Sequence, residues 1–167
     1  MPIDHFPFTP YSPNTRIRPL IPIVIFSTKR GIKPVVAMAV VDSAADFVHI
    51  PFNIAKRLGW KPDDNDCGLD CGTQRGPTTI HRGRFRLTLH SLSPEGKMGP
   101  AIKNFYKKLW TCKVHNGLER VLLGRDFLQN YLLIINYPEG FFSIKSGPHL
   151  CPDPNRSHCP VLNAPTH

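Results

Sequence analysis

Apolar residues in this chain fall into short runs broken by proline, glycine or charge, and each run predicts one element. Leu20 to Phe26 is rich in β-branched residues with Pro22 inside, which predicts an edge strand. Val35 to Val41 is continuously apolar, as expected of a strand buried on both faces. Phe47-Val48-His49-Ile50 is a second short strand, stopped by Pro51. Phe52 to Leu58 suits two helical turns ended by Gly59. Thr78 to Leu89 alternates, with Phe85, Leu87 and Leu89 on one face and Arg84, Arg86 and Thr88 on the other. Leu109 to Val114 reads as a strand before an Asn116-Gly117 turn. Val121 to Leu123 predicts a short buried strand and Arg125 to Asn130 a short helix. Leu132 to Asn136 and Phe141 to Ile144 predict a hairpin across residues 137–140.

The stretches between are polar. Residues 1–18 have no period and read as an extended or disordered lead. Lys29-Arg30-Gly31 is a turn. Residues 63–77 are glycine-rich, a loop or mobile hairpin, and 91–103 read as a loop. From residue 147 to 167 proline, histidine and cysteine dominate, which predicts a disordered tail. One domain over residues 19–146 follows, with no internal repeat. The 18 prolines and 12 glycines point to a loop-rich, mostly β chain.

Charge adds one expectation. The formal net charge of +9 attracts acidic partners or nucleic acid at long range. The cations are scattered, and none forms a block, so nucleic acid is a possible partner that no motif supports. The row Arg82, Arg84, Arg86 reads as a solvated face, or as a groove for a phosphate backbone or an acidic peptide. No apolar run approaches the ~18 residues that span a membrane, so no membrane partner is expected. The N-terminus does not resemble a secretory signal. An odd set of five cysteines suggests a reducing compartment, with the cytoplasm as the expected location. Cys67 and Cys71, with His149, Cys151, His158 and Cys159, have only weak zinc spacing and read as free thiols. No metal or cofactor is expected. Neither a nucleophile elbow nor a phosphate loop is present.

The chemistry concentrates at Val40-Val41-Asp42-Ser43-Ala44-Ala45-Asp46. This order sets a carboxylate at the tip of a buried strand, in a tight turn held by the Ser43 hydroxyl. Two carboxylates that share a proton can hydrolyse a peptide bond, one as base on water and one as acid on the carbonyl oxygen. Each chain has one such motif, so a pair requires an isologous homodimer with Asp42 facing its mate.

The segment Val40 to Pro51, together with Val121-Leu122-Leu123-Gly124-Arg125-Asp126-Phe127-Leu128, resembles the two halves of the retropepsin-like aspartic proteases. The resemblance covers residues 20 to 145. It implies an acid-protease fold: an all-β, closed barrel with a flap hairpin and one or two short helices. It implies Asp42 as the catalytic residue, supported by Ser43, Ala44, Asp46, Gly124 and Arg125. Arg125 would pair with Asp46 as a buried charge pair. The strand before Gly124 would pass under the active-site turn, glycine leaving the space. The flap would come from residues 67–77, with Asp70, Gly72, Gln74, Arg75 and Gly76 over an extended peptide. Phe47 would line a pocket. Ala44 stands where the family has glycine; its methyl crowds the turn if the backbone needs glycine-like angles, and a β-region turn tolerates it. The expected function is a homodimeric aspartic endopeptidase acting on a peptide or protein substrate. The alternative is a catalytically impaired dimer of the same fold that binds peptide or protein.

Overall fold

The computed structural model describes residues 5–7, 9–10, 17–62, 69–73, 76–93, 96–102, 107–129 and 131–146. In chain order the elements are β1 (His5–Pro7), β2 (Thr9–Pro10), β3 (Ile17–Arg18), β4 (Leu20–Phe26), β5 (Val35–Val41), β6 (His49–Pro51) and α1 (Phe52–Arg57). They continue with β7 (Leu69–Thr73), β8 (Gly76–Leu92), β9 (Met98–Ala101), β10 (Lys108–His115), β11 (Val121–Leu123), α2 (Arg125–Leu128), β12 (Tyr131–Asn136) and β13 (Phe141–Ser146).

Strand pairing closes on itself. β4 pairs with β5, β5 with β11, β11 with β6, β6 with β10, β10 with β8, and β8 returns to β4. This ring of six strands is a closed barrel, which leaves no edge among its members. Two of the contacts are parallel, β5 with β11 and β6 with β10, and both require long crossovers. Alternate residues turn inward, as a filled small barrel demands. Ile21, Ile23 and Ile25 meet Ala39 and Val41, Ile50, Phe85, Leu87 and Leu89, Val114, Val121 and Leu123, all buried. α1 closes the barrel beside β6 with Ala55 and Leu58, and Gly59, at φ +69°, supplies the left-handed stop expected from sequence.

β4 is central, not the edge strand that Pro22 suggests. Pro22 pairs with Met38 of β5, and the ladder to β8 begins one residue later at Ile23. The proline lies just outside the doubly bonded stretch. β5 is not buried along its whole length either, because Val36 is 60% exposed on the outer face. Thr88 is buried beside the exposed arginines, and its Oγ1 accepts the Lys107 N–H at 2.8 Å. Residues 98–101, expected within a loop, form β9 against His90 and Leu92 of β8. Local composition (Gly99, Pro100) hides a pairing that the long partner strand imposes.

A smaller sheet, β1-β13-β12, packs beside the barrel. Its hairpin β12–β13 is the one expected. Part of the lead is extended and paired: β1 lies antiparallel to β13, and the fully buried Phe6 ring stacks on Phe142 at 5.1 Å. The tail from residue 147 lies outside the described residues. Burying one aromatic ring contributes several kcal/mol, so Phe6→Ala should destabilise the chain by about 3–5 kcal/mol. A urea titration followed by tryptophan fluorescence checks this; an unchanged midpoint would mean that β1 does not dock in solution.

Candidate active site

Three segments meet at the end of β5. The Asp42 N–H donates to the Leu123 carbonyl at 3.1 Å, extending the β5–β11 ladder to its tip. The half-buried Asp42 carboxylate then accepts the Ala44 N–H at 3.0 Å, and its carbonyl accepts the Ala45 N–H at 3.3 Å. The turn is thus closed by the acid itself. Ser43, expected to hold it through its hydroxyl, is exposed. Ala44 is exposed as well. Among described non-glycine residues only Lys107 has a positive φ, so Ala44 does not occupy a glycine-like conformation. The methyl group imposes no backbone strain within the chain.

The loop after Asp42 is clamped from below. The N–H groups of Arg125 and Asp126, orphan donors at the start of α2, donate to the carbonyls of Ala45 at 2.7 Å and Asp46 at 3.0 Å. Gly124 makes this approach possible. A Cβ built there would lie 2.2 Å from the Phe47 carbonyl oxygen and 2.7 Å from that of Ala45. Its φ of −85° is ordinary, so glycine is needed for space and not for angle.

The Arg125 guanidinium bonds the Asp46 carboxylate, as the sequence suggested, but the pair is not buried: the side chains are 67% and 59% exposed in the single chain. An exposed pair stabilises little, on the order of 0–1 kcal/mol. Its contribution is to orient the loop. Beside it Asp126, not singled out from sequence, accepts the Phe127 N–H at 2.7 Å and the Val48 N–H, tying α2 to the loop leading into β6. Burial pushes its carboxyl above the ordinary range despite those bonds.

Phe47 is 45% exposed and lines a cleft of about 470 Å³ with Arg82, Leu109, Thr111, Lys113, Asp126 and Gln129. The Lys113 ammonium sits 5.0 Å from the Phe47 ring centre. Of the flap candidates, Asp70 and Gly72 lie on β7 and Gly76 opens β8. The two strands form an antiparallel hairpin from Leu69↔Ile80 to Thr73↔Gly76. Gln74 and Arg75 lie outside the described residues. Among the described residues no cluster of His, Cys, Asp or Glu could hold a metal ion.

Two protease structures are similar to this chain. One is EIAV protease complexed with the inhibitor HBY-793, at 20% identity and a TM-score of 0.41, over 71% of this chain and 91% of that one. The other is a retropepsin-like aspartic protease from Rickettsia conorii, at 15% identity and a TM-score of 0.49, over 83% and 96%. No family model and no curated protein matches the sequence. At such identities the chemistry must be read from the chain's own geometry.

A histidine pair lies behind the loop. His49 on β6 faces Leu122 of β11, and its ring meets that of the buried His115 edge-on at 5.3 Å. The Nδ1 atoms of both rings are buried and lack hydrogen-bond partners among the described residues. Burial, then His115 and Lys113, hold the His49 pKa down at about 4, although Asp42 and Asp46 pull it up. Burial also lowers His115. The pair was not legible because its two members lie far apart in sequence.

Two outcomes follow. Gly124→Ala must push the Phe47 carbonyl away and should destabilise the fold by about 3 kcal/mol, the upper end of ordinary overpacking, with loss of any loop-dependent function; thermal unfolding measures it. For His49, the unfolded chain binds a proton below pH 6.5 that the folded chain refuses until about pH 4. Stability should therefore fall as pH drops through that window. Asp126, raised in the fold, acts in the opposite sense. The slope between pH 6.5 and 4 should flatten in His49→Gln relative to the parent; superimposable profiles would refute the assignment.

Proposed function

We propose that the chain is a homodimeric aspartic endopeptidase of the retropepsin type. The observation that carries this reading is the Asp42 turn: a half-buried carboxylate at a strand tip, with its loop locked by Gly124 and the N–H groups of α2. Asp42 from each protomer faces its mate across a two-fold axis, with one proton between them. One carboxylate takes a proton from the bound water as its oxygen attacks the peptide carbonyl. The other protonates the carbonyl oxygen, giving a neutral gem-diol. Proton transfer to the amide nitrogen then releases amine and acid.

Other features support the assembly. The Arg125–Asp46 pair and Ser43 are exposed in the single chain, as an interface with a symmetry mate would require. Edge strand β12 leaves Leu132 49% and Ile134 40% exposed, apolar surface suited to a second protomer. The β7–β8 hairpin acts as the flap, with Asp70, Gly72, Gln74, Arg75 and Gly76 near the peptide. Phe47 lines a side-chain pocket. Specificity then comes from alternate side chains of an extended substrate.

Incubation with unfolded casein across pH 4–7 tests the reading. Cleavage should occur in mild acid and fall at least ~100-fold in Asp42→Asn, as expected for removal of a general acid–base group. Sedimentation at micromolar concentration should give a dimer. A monomer, or cleavage indifferent to Asp42→Asn, would overturn it. Peptide binding without cleavage, with activity appearing in Ala44→Gly, would establish instead an impaired peptide-binding dimer whose obstacle is the Ala44 methyl.

A further inference from the structure

The outer face of β8 carries Arg82, Arg84 and Arg86, all exposed, while Gly83 and Phe85 between them are buried. Alternate residues of a strand stand about 6.8 Å apart, so the guanidinium groups form a row roughly 14 Å long. β10 lies antiparallel beside it and sets Lys113 opposite Arg82, Thr111 opposite Arg84 and Leu109 opposite Arg86. On the other side, Phe26 of β4 stands opposite Arg86, with the Lys107 ammonium 5.1 Å from its ring centre. The sequences of β4, β5, β8 and β10 contain no aspartate or glutamate. Asp126 borders the cleft that Arg82, Leu109 and Lys113 line.

A cation directly opposite another cation on a sheet is destabilising, by a few tenths of a kcal/mol or more. Lys113, whose ammonium lies over the Phe47 ring, faces such a cation in Arg82. The row suits a regular string of anions, since each guanidinium fork can bond two phosphate oxygens. An acidic peptide would match the charge but presents a flat ring only where its sequence holds an aromatic residue, whereas every nucleotide carries one. A duplex keeps its bases stacked within the helix and presents no base face to Phe26. A flexible single strand can follow a pleated surface, phosphates on cations and bases on an aromatic face.

We propose that this face binds single-stranded nucleic acid, with backbone phosphates along Arg82, Arg84 and Arg86 and a base stacked at Phe26. The interaction is largely independent of base sequence, because the contacts are to phosphate and ring faces. The face adjoins the cleft that Phe47 lines, which shares Arg82 and Lys113 with it, while Arg84 and Arg86 do not line that cleft.

Fluorescence anisotropy of the full chain with a labelled 20-nucleotide oligo-dT tests it. Binding should weaken with salt at a log–log slope of about −2, as for three phosphate contacts on a single strand. Arg84→Glu should weaken binding at least tenfold. Arg30→Glu, the same charge change in the exposed turn between β4 and β5, should stay within twofold. Circular dichroism monitors folding, and if Arg84→Glu unfolds, Arg84→Ala decides with an expected loss of at least threefold. Absence of binding, equal losses at positions 30 and 84, or tighter binding of a duplex or an oligoglutamate of equal charge would overturn the proposal.

Discussion

The backbone contact at Gly124 is the constraint on which the rest of the site depends. Two chain segments cross there with no room for a single methyl group, and the crossing is closed by hydrogen bonds from the first N–H groups of α2 to the carbonyls of Ala45 and Asp46. Each partner solves the other's problem. The helix start has donors without intrahelical acceptors, and the loop has carbonyls without a ladder. The β5–β11 pairing carries this arrangement to Asp42, whose N–H bonds Leu123. The carboxylate therefore inherits its position from the barrel, and side-chain contacts only refine it.

Charge is distributed unevenly around this frame. The acids are set at the loop, Asp42 half-buried and Asp46 held outside by Arg125, while the outer surface of β8 and β10 is cationic. Between the two lie imidazoles whose pKa values burial lowers. A proton added there would sit close to Lys113, and it would also feel Asp42 and Asp46. Acidification through the window in which the folded chain refuses the His49 proton thus works against the strand behind the loop.

Much of this arrangement was legible in the sequence, because its signals are local. An apolar run ending on Asp42, and a glycine followed by Arg125 at the end of another, mark strand tips without reference to partners. The β12–β13 hairpin and the α1 stop at Gly59 have the same character. What escaped was set by distant chain. Pro22 signals an edge because it lacks an N–H, yet the β8 ladder begins only at Ile23, so that missing donor costs β4 nothing on that side. β9 has a loop composition and becomes a strand only because β8 extends past it. Ser43 and the Arg125–Asp46 pair stand exposed in the single chain, so the interface roles that the resemblance implies for them belong to the proposed dimer.

The parallel register of β5 with β11 pairs Ala39 with Val121 across the whole run from β6 to β10. Contacts this remote in sequence form late, since closing so long a loop costs entropy before any contact repays it. During synthesis Asp42 leaves the ribosome well before the segment that shapes its turn. The newborn polypeptide consequently holds Asp42 in an unformed loop, and its carboxylate acquires a defined place only once β11 and α2 have been made and threaded back into the barrel.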